Sequence, residues 1–246
     1  MRICEVRRLG LIPYREAWDL QKRLAAGRAA DSIPDTLLLL EHPHTYTLGR
    51  SGRAENLLWD ESQLAERGVT VEWVDRGGDI TYHGPGQLVG YPILKLGALT
   101  ADGRLPQTDY VGYVRRIEEM LIRALARFGI VSGQMNGLTG VWVQPDVASR
   151  CPHCPPAAKL APSKIAAIGV KVDARGVSQH GFALNVAPDM SYFDGIIPCG
   201  IRDHGVISMA DLLGDAPGME VVMDVVADEF GRVFQRVIND AAFINA

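Results

Sequence analysis

The most distinctive stretch of the chain is a run of twelve residues, Arg76-Gly77-Gly78-Asp79-Ile80-Thr81-Tyr82-His83-Gly84-Pro85-Gly86-Gln87. Its four glycines and one proline let the backbone approach a bound group closely, because glycine has no side chain to keep the group away. Composition alone fits a ligand-binding loop and a plain turn between two strands equally well. Two phosphate-binding motifs are excluded: the chain has no Gly-Lys-Ser/Thr tripeptide, and Gly84, Gly86 and Gly90 miss the G-x-G-x-x-G spacing by one residue.

On either side of this run, apolar residues recur with the periods of helices and strands. A spacing of three to four residues predicts helices over 14–24, 109–128 and 219–238. Apolar or alternating runs predict strands over 36–40, 69–74, 88–94, 140–143, 165–172 and 180–186. Pro92 places the third of these at a sheet edge or at the end of its strand. Because strands outnumber helices and do not alternate with them, we predict an α+β fold with mixed β-sheets covered by helices.

Composition describes an ordinary globular protein. The 246 residues are 47% hydrophobic and 22% charged, with a net charge of −4, so no overall basic field favours nucleic acid. An acidic protein partner would need a local cluster such as Arg50, Arg53 and Arg76. The N-terminus lacks the apolar run of a signal peptide, and apolar runs such as 37–40 are too short to cross a membrane. We therefore expect a cytoplasmic protein that binds neither nucleic acid nor membrane.

A loop at 144–162 holds five prolines and the sequence Cys151-Pro152-His153-Cys154. It is predicted to be an exposed insertion between two strands. A structural zinc site needs four ligands, usually from two such Cys pairs, and only one pair occurs here. An inert surface insertion is favoured, and a local disulfide or a partial metal site stays open. For His42 and His44, separated by Pro43, a structural role is favoured over metal binding, so no metal site is predicted.

Three further segments carry groups that can act chemically. Cys199 lies between Pro198 and Gly200, on a turn, and a thiolate there could accept an acyl group. Lys164 begins an apolar strand, where a partly desolvated ammonium could exchange a proton with a thiol. His180 could orient a substrate carbonyl. Each residue also has a plain structural interpretation: a packed cysteine, a solvent-facing lysine and a satisfied buried histidine.

In combination, these segments resemble the octanoyltransferases of lipoate biosynthesis. The resemblance is carried, in chain order, by Glu41-His42-Pro43 with Thr47-Leu48-Gly49, the run at 76–87, Lys164-Ile165 with Gly169, His180-Gly181 with Leu184-Asn185, and Pro198-Cys199-Gly200. It extends from about residue 36 to residue 213. It implies the fold of the catalytic domain of biotin and lipoate ligases. We expect one domain over residues 1–246, with the loop at 144–162 atypical of the family.

The same resemblance implies a reaction and a site. Cys199 would take an octanoyl group from acyl carrier protein as a thioester, with Lys164 as its catalytic partner. The acceptor would be a lysine of a lipoyl domain, in an oxo-acid dehydrogenase or in the glycine-cleavage H protein. No cofactor is implied, and we expect a monomer. The implied acyl pocket consists of Arg76, Gly77, Gly78, Asp79, Ile80, Thr81, Tyr82, His83, Ala167, Ile168, Gly169, Gly181, Phe182 and Ala183.

Two other functions share parts of this pattern. An ATP-dependent lipoate or biotin ligase would have the same fold and a lysine, but no nucleophilic thiol. A non-catalytic protein could bind acyl carrier or lipoyl domains without turnover. A Cys-His hydrolase fits less well, because an acyl-enzyme open to water would release free acid. Beyond the resemblance, His83 or the backbone N–H groups of the glycine turns could stabilise an oxyanion.

Overall fold

The computed structural model of the protein describes residues 2–97, 110–200 and 204–240. The strands within these ranges are β1 Arg2–Leu11, β2 Asp35–Glu41, β3 Thr45–Leu48, β4 Thr70–Trp73, β5 Ile80–His83, β6 Gln87–Ile93, β7 Gly133–Met135, β8 Leu138–Val143, β9 Ser163–Val172, β10 Ser178–Asn185, β11 Gly205–Val206 and β12 Arg236–Asp240. The helices are α1 Tyr14–Ala29, α2 Glu61–Glu66, α3 Tyr110–Arg127, α4 Pro145–Ala148, α5 Met209–Leu213 and α6 Met219–Phe234.

Among the described residues, the strands form one sheet of nine strands and one of three. The large sheet runs β12-β1-β2-β6-β10-β9-β8-β7, with β11 pairing alongside β9, and the small sheet runs β4-β3-β5. Both sheets mix parallel and antiparallel pairs. In the large sheet β1 is parallel to β2, and β6 is antiparallel to β2 and β10. In the small sheet β3 is parallel to β4 and antiparallel to β5. The predicted α+β class with mixed sheets is confirmed.

Strand β2 shows how the large sheet is covered on both faces. Alternate residues of a strand point to opposite faces. Leu37 and Leu39 face the core built by α3 and α6, whereas Leu38 and Leu40 face α1. All four leucines are fully buried, which explains a continuous apolar run in place of a polar–apolar alternation.

The prediction of a helix over 219–238 is wrong at its end. Helix α6 stops at Phe234, and Gln235 takes a left-handed conformation with φ of 54°. The next residues form β12, which pairs in parallel with β1 through contacts such as Val237 with Ile3. Val237 and Ile238 continue the apolar spacing of the helix, so the sequence pattern did not reveal that the helix gives way to a strand.

Pro92 lies in an internal strand, not at a sheet edge. It is the penultimate residue of β6, which matches the other predicted position, the end of its strand. The ladder between β6 and β10 pairs Gly90 with Phe182 as its last residues, so the N–H group that proline lacks falls beyond that ladder. For the predicted helix over 109–128, Asp109 lies outside the described residues.

The loop at 144–162 is not simply exposed. It contains α4 and a short 3-10 helix, Pro156–Lys159, and its two cysteines are buried against α5. The Cys151 thiol donates to the backbone carbonyl of Asp211 at 3.2 Å, and the Cys154 thiol lies 3.7 Å from the same oxygen. Burial raises the pKa of the Cys154 thiol to about 12. Both cysteines therefore serve as packed thiols, and neither is in a disulfide.

Candidate active site

A cleft lies between β5 of the small sheet and strands β9 and β10 of the large sheet. About 450 Å³ of unfilled space lies in it, part of which is open to solvent. Most of the residues predicted for the acyl pocket line it, namely Arg76, Gly78, Asp79, Thr81, His83, Ala167, Ile168, Gly169, Gly181, Phe182 and Ala183. Three separate segments of sequence therefore meet at one surface.

Two glycines allow close backbone packing around the cleft. A Cβ atom on Gly181 would lie 2.1 Å from the carbonyl oxygen of Gly90 in β6, and one on Gly169 would lie 2.8 Å from that of Gly77 in the glycine-rich run. A larger residue at position 181 would push β10 away from β6, and one at position 169 would push β9 away from the glycine-rich run.

The other three predicted pocket residues lie elsewhere. Ile80 and Tyr82 are fully buried in the apolar core of the small sheet, because they point to the opposite face of β5 from Thr81 and His83. The N–H of Gly77 donates to the carbonyl of Val170 at 3.0 Å, which ties the glycine-rich run to β9.

Arg76 is buried and cannot belong to a surface cluster with Arg50 and Arg53, which are exposed. Its Nη2 donates to the carbonyl oxygen and hydroxyl of Thr47 at 2.5 and 2.8 Å, and its Nη1 donates to the carbonyl of Gly77 at 3.0 Å. These charge-assisted bonds join β3 to the glycine-rich run. The expectation that Arg76 helps to bind an acidic protein is therefore wrong.

Tyr14, Tyr91 and His180 also line the cleft, although they were not among the predicted pocket residues. His180 Nε2 donates to Asp75 at 2.8 Å, so its Nδ1 is left to accept from the Tyr14 hydroxyl at 3.4 Å. Burial lowers the pKa of His180, against the opposing effect of Asp75. The imidazole is therefore neutral at neutral pH.

His83 is also neutral and fully engaged. Its Nδ1 donates to Oε1 of Gln87 at 2.9 Å, because the Gln87 amide N–H groups are already used by the Tyr82 carbonyl and by Asn185. Its Nε2 accepts from the Thr47 hydroxyl at 3.3 Å, and burial lowers the pKa of His83 well below its ordinary value. This tautomer leaves His83 no N–H group for an oxyanion, contrary to one of the two alternatives raised by the sequence.

His42 and His44 have the structural roles predicted for them. His42 Nδ1 donates to the carbonyl of Ile12 and its Nε2 accepts from the Tyr91 hydroxyl, both at 2.7 Å. His44 bonds the Tyr82 hydroxyl at 2.9 Å and stacks on Tyr192. No group of three or more His, Cys, Asp or Glu residues in the described parts of the chain could hold a metal ion.

A second cavity, of about 270 Å³, adjoins the cleft and shares Thr81 and Ala167 with it. Lys164 and Pro198 both line this second cavity. Lys164 is buried at the start of β9, with its Nζ atom 4.7 Å from the centre of the Trp142 ring. Pro198 opens the short 3-10 turn Pro198–Gly200, which has Cys199 at its centre. The second cavity therefore places both Lys164 and the turn that carries Cys199 next to the cleft.

Comparison with known proteins gives the chain its family. The model of the lipoyl protein ligase A/B catalytic domain matches residues 13–231. An octanoyltransferase of Chloroflexus aggregans is 50% identical over 235 residues, which span 95% of this chain and 96% of that protein. One of Rubrobacter xylanophilus is 46% identical over 238 residues, spanning 96% and 94%.

Solved structures agree on the fold. A bi-partite lipoate protein ligase of Thermoplasma acidophilum superposes with a TM-score of 0.68 at 15% identity, covering 100% of this chain and 88% of the other. Lipoate-protein ligase A bound with ATP superposes with a TM-score of 0.66 at 15% identity, covering 99% and 90%. No helix within the described ranges is long and apolar enough to span a bilayer. The chain belongs to the lipoyl protein ligase A/B catalytic domain family and, within it, to the octanoyltransferases.

Proposed function

We propose that this octanoyltransferase of lipoate biosynthesis takes its octanoyl group from acyl carrier protein, holds it as a thioester on Cys199, and passes it to a lysine of a lipoyl domain. The observation that carries the proposal is the shared cavity: Lys164 and Pro198 of the turn Pro198–Gly200 border one space that adjoins the cleft. A nucleophile, a proton acceptor and a channel for an alkyl chain are the parts that such a transfer needs.

In the first step, the Cys199 thiol passes its proton to Lys164, and the thiolate attacks the thioester carbon of the octanoyl carrier. The new C–S bond forms on Cys199 as the carrier sulfur leaves and takes up the proton held by Lys164. One thioester replaces another, so the step is nearly balanced and needs no ATP. The alkyl chain would pack against backbone, Ala167, Ile168, Phe182 and neutral histidines. Its burial there leaves no charged group without a partner.

In the second step, Lys164 accepts a proton from the incoming lysine ammonium and releases it to solvent, and the free amine attacks the thioester carbon. An amide forms as the amine nitrogen gives its second proton, through Lys164, to the departing Cys199 sulfur. Forming an amide from a thioester is downhill, which drives the pathway forward. A lipoyl domain as acceptor is supported by the similar Thermoplasma acidophilum ligase, which is described together with its E2 lipoyl domain.

The intact mass of the protein after incubation with octanoyl carrier protein tests the proposal. We expect a hydroxylamine-labile octanoyl adduct on the wild type and on Cys4→Ala, which removes a buried thiol from β1, and none on Cys199→Ala. An adduct that persists in Cys199→Ala would overturn the covalent assignment. Octanoylation that needs ATP and survives Cys199→Ser would favour a ligase, and binding of both partners without turnover would favour a non-catalytic protein.

A further inference from the structure

The Asp79 carboxylate joins three segments of the chain beside the candidate site. Its Oδ1 accepts from the backbone N–H groups of Arg53 and Ile80, at 3.0 and 2.7 Å. Its Oδ2 accepts from the side-chain amide of Asn56 at 2.5 Å. Asn56 is only 8% exposed, so water competes little for this bond. Asp79 thus fixes the loop 53–56 to the start of β5.

The loop 53–56 in turn holds the segment that leads to Cys199. The carbonyl of Asn56 accepts from the N–H of Ile197 at 2.8 Å, and the N–H of Leu58 donates to the carbonyl of Gly195 at 2.8 Å. Asn56 therefore uses its side chain to bind Asp79 and its backbone to bind the residue two positions before Cys199.

The residue after Cys199 contacts the same pair. Gly200 has a left-handed φ of 68°, and a Cβ atom there would lie 2.9 Å from Oδ2 of Asp79 and 3.3 Å from Nδ2 of Asn56. The Asp79–Asn56 pair is thus packed directly against the turn Pro198–Gly200. Only glycine both adopts this backbone conformation readily and leaves room for the carboxylate.

We propose that Asp79 and Asn56 are positioning residues that fix the backbone of Cys199 beside the cavity lined by Lys164. The proposal rests on the proposed function, since it needs Cys199 to be the acyl carrier. The resemblance placed Asp79 in the acyl pocket, and its hydrogen bonds give it a different task there. Small displacements of a reacting group cost much rate, so the bond between the two side chains controls the speed of acylation.

A negative charge introduced at Asn56 tests this role. Asn56→Asp sets two carboxylates against each other, and we expect the single-turnover rate of octanoyl loading to fall by about 10- to 100-fold. The rate constant should fall far more than the carrier concentration that half-saturates it. Adding Asp79→Asn restores the side-chain hydrogen bond with its direction reversed, because the new amide at position 79 can donate to the new carboxylate at position 56. The amide oxygen at position 79 can still accept from the backbone N–H groups of Arg53 and Ile80. Most of the lost rate should return in the double variant.

Asn239→Asp adds the same charge at an exposed position of β12 and is the matched control, expected to load at the wild-type rate. Asn56→Ala, which deletes the amide without adding charge, is expected to show a smaller loss. Thermal unfolding of every variant reports whether it is folded. Wild-type loading rates in Asn56→Asp, or a folded double variant as slow as Asn56→Asp, would overturn the positioning role. Failure of the wild type itself to load Cys199 would instead overturn the proposed function.

Discussion

Lys164 packs its aliphatic chain against Gly140, where a Cβ atom would lie 3.2 Å from the Lys164 Cε atom. Gly140 has a φ of 124°, and the same Cβ would lie 2.7 Å from the carbonyl of Ala166. The N–H of Gly140 donates at 2.9 Å to Oε1 of Glu118, a fully buried carboxylate of α3. Gly140 is therefore one wall of a slot that holds Lys164, and the Trp142 ring is the other.

Replacing Gly140 by alanine should damage both stability and acyl transfer. We expect the free energy of unfolding to fall by about 1–3 kcal/mol, because alanine strains this backbone conformation. Octanoyl loading of Cys199 should slow by about 10-fold or more, because the new methyl group displaces Lys164. Denaturant titration measures the first effect and intact mass over time the second. Gly133→Ala on nearby β7 is the control: its Cβ would meet no atom within 4 Å, so unchanged stability and loading are expected. Equal loading by the two variants would argue against the slot.

Ala167 borders both the cleft and the cavity that Lys164 lines, so its size should control which acyl chains pass. In Ala167→Leu the added methyl groups occupy space needed by the distal carbons of an octanoyl group. Loading from octanoyl carrier should fall by about 10-fold or more, and loading from a four-carbon acyl carrier should fall much less. Rates with both donors check this, with Ala157→Leu in the exposed part of the 144–162 loop as the control. An equal fall in the loading rate for the octanoyl and the four-carbon donor would contradict the idea that Ala167 controls which acyl chains enter.

Helices and strands could be predicted from the sequence where the apolar pattern of the segment itself determines its structure. Strand β2 and helix α3 carry strong apolar signals, and both formed as predicted. The end of α6 depends instead on a partner more than 200 residues away, since 236–240 become a strand by pairing with β1. No glycine or proline in the sequence marks the turn at Gln235.

The candidate site likewise combines residues that the local sequence predicts with residues that only the tertiary structure brings together. The glycine-rich run predicted most of one cleft wall, because glycines that admit a ligand are visible in sequence. Tyr14 and Tyr91 could not be predicted, since helix α1 and strand β6 bring them to the cleft from distant positions. Asp79 was predicted as a pocket residue, but its bond to Asn56 depends on tertiary structure alone.

Stability should depend on pH through His42. Burial lowers the pKa of His42 from its ordinary value of 6.5 to about 4. The folded state therefore resists protonation that the unfolded chain accepts. This contribution is fully present above the unfolded pKa and is lost as the pH falls from about 6.5 toward 4, by about 3 kcal/mol in total.

His42→Gln should therefore flatten the pH profile of the unfolding free energy between pH 7 and pH 4. His83 and His180, whose pKa values burial also lowers, keep part of the slope in that variant. His153→Gln, which changes an exposed histidine, should leave the profile as it is in the wild type. Parallel profiles for wild type and His42→Gln, from denaturant titrations at each pH, would disprove the assignment.

Arg53 joins the candidate active site to the surface, because its N–H binds Asp79 and its side chain is exposed. An acidic carrier protein would be attracted to this arginine and to Arg50. In Arg53→Glu the backbone bond to Asp79 is retained, and the concentration of octanoyl carrier that half-saturates loading should rise by about 5-fold or more at low salt. The effect should shrink as salt screens the charges. Loading from a small octanoyl thioester without the carrier should keep its wild-type rate. Arg23→Glu, an equal charge change at an exposed position of α1, should alter neither reaction, and an equal rise for both arginine variants would show a response to net charge alone.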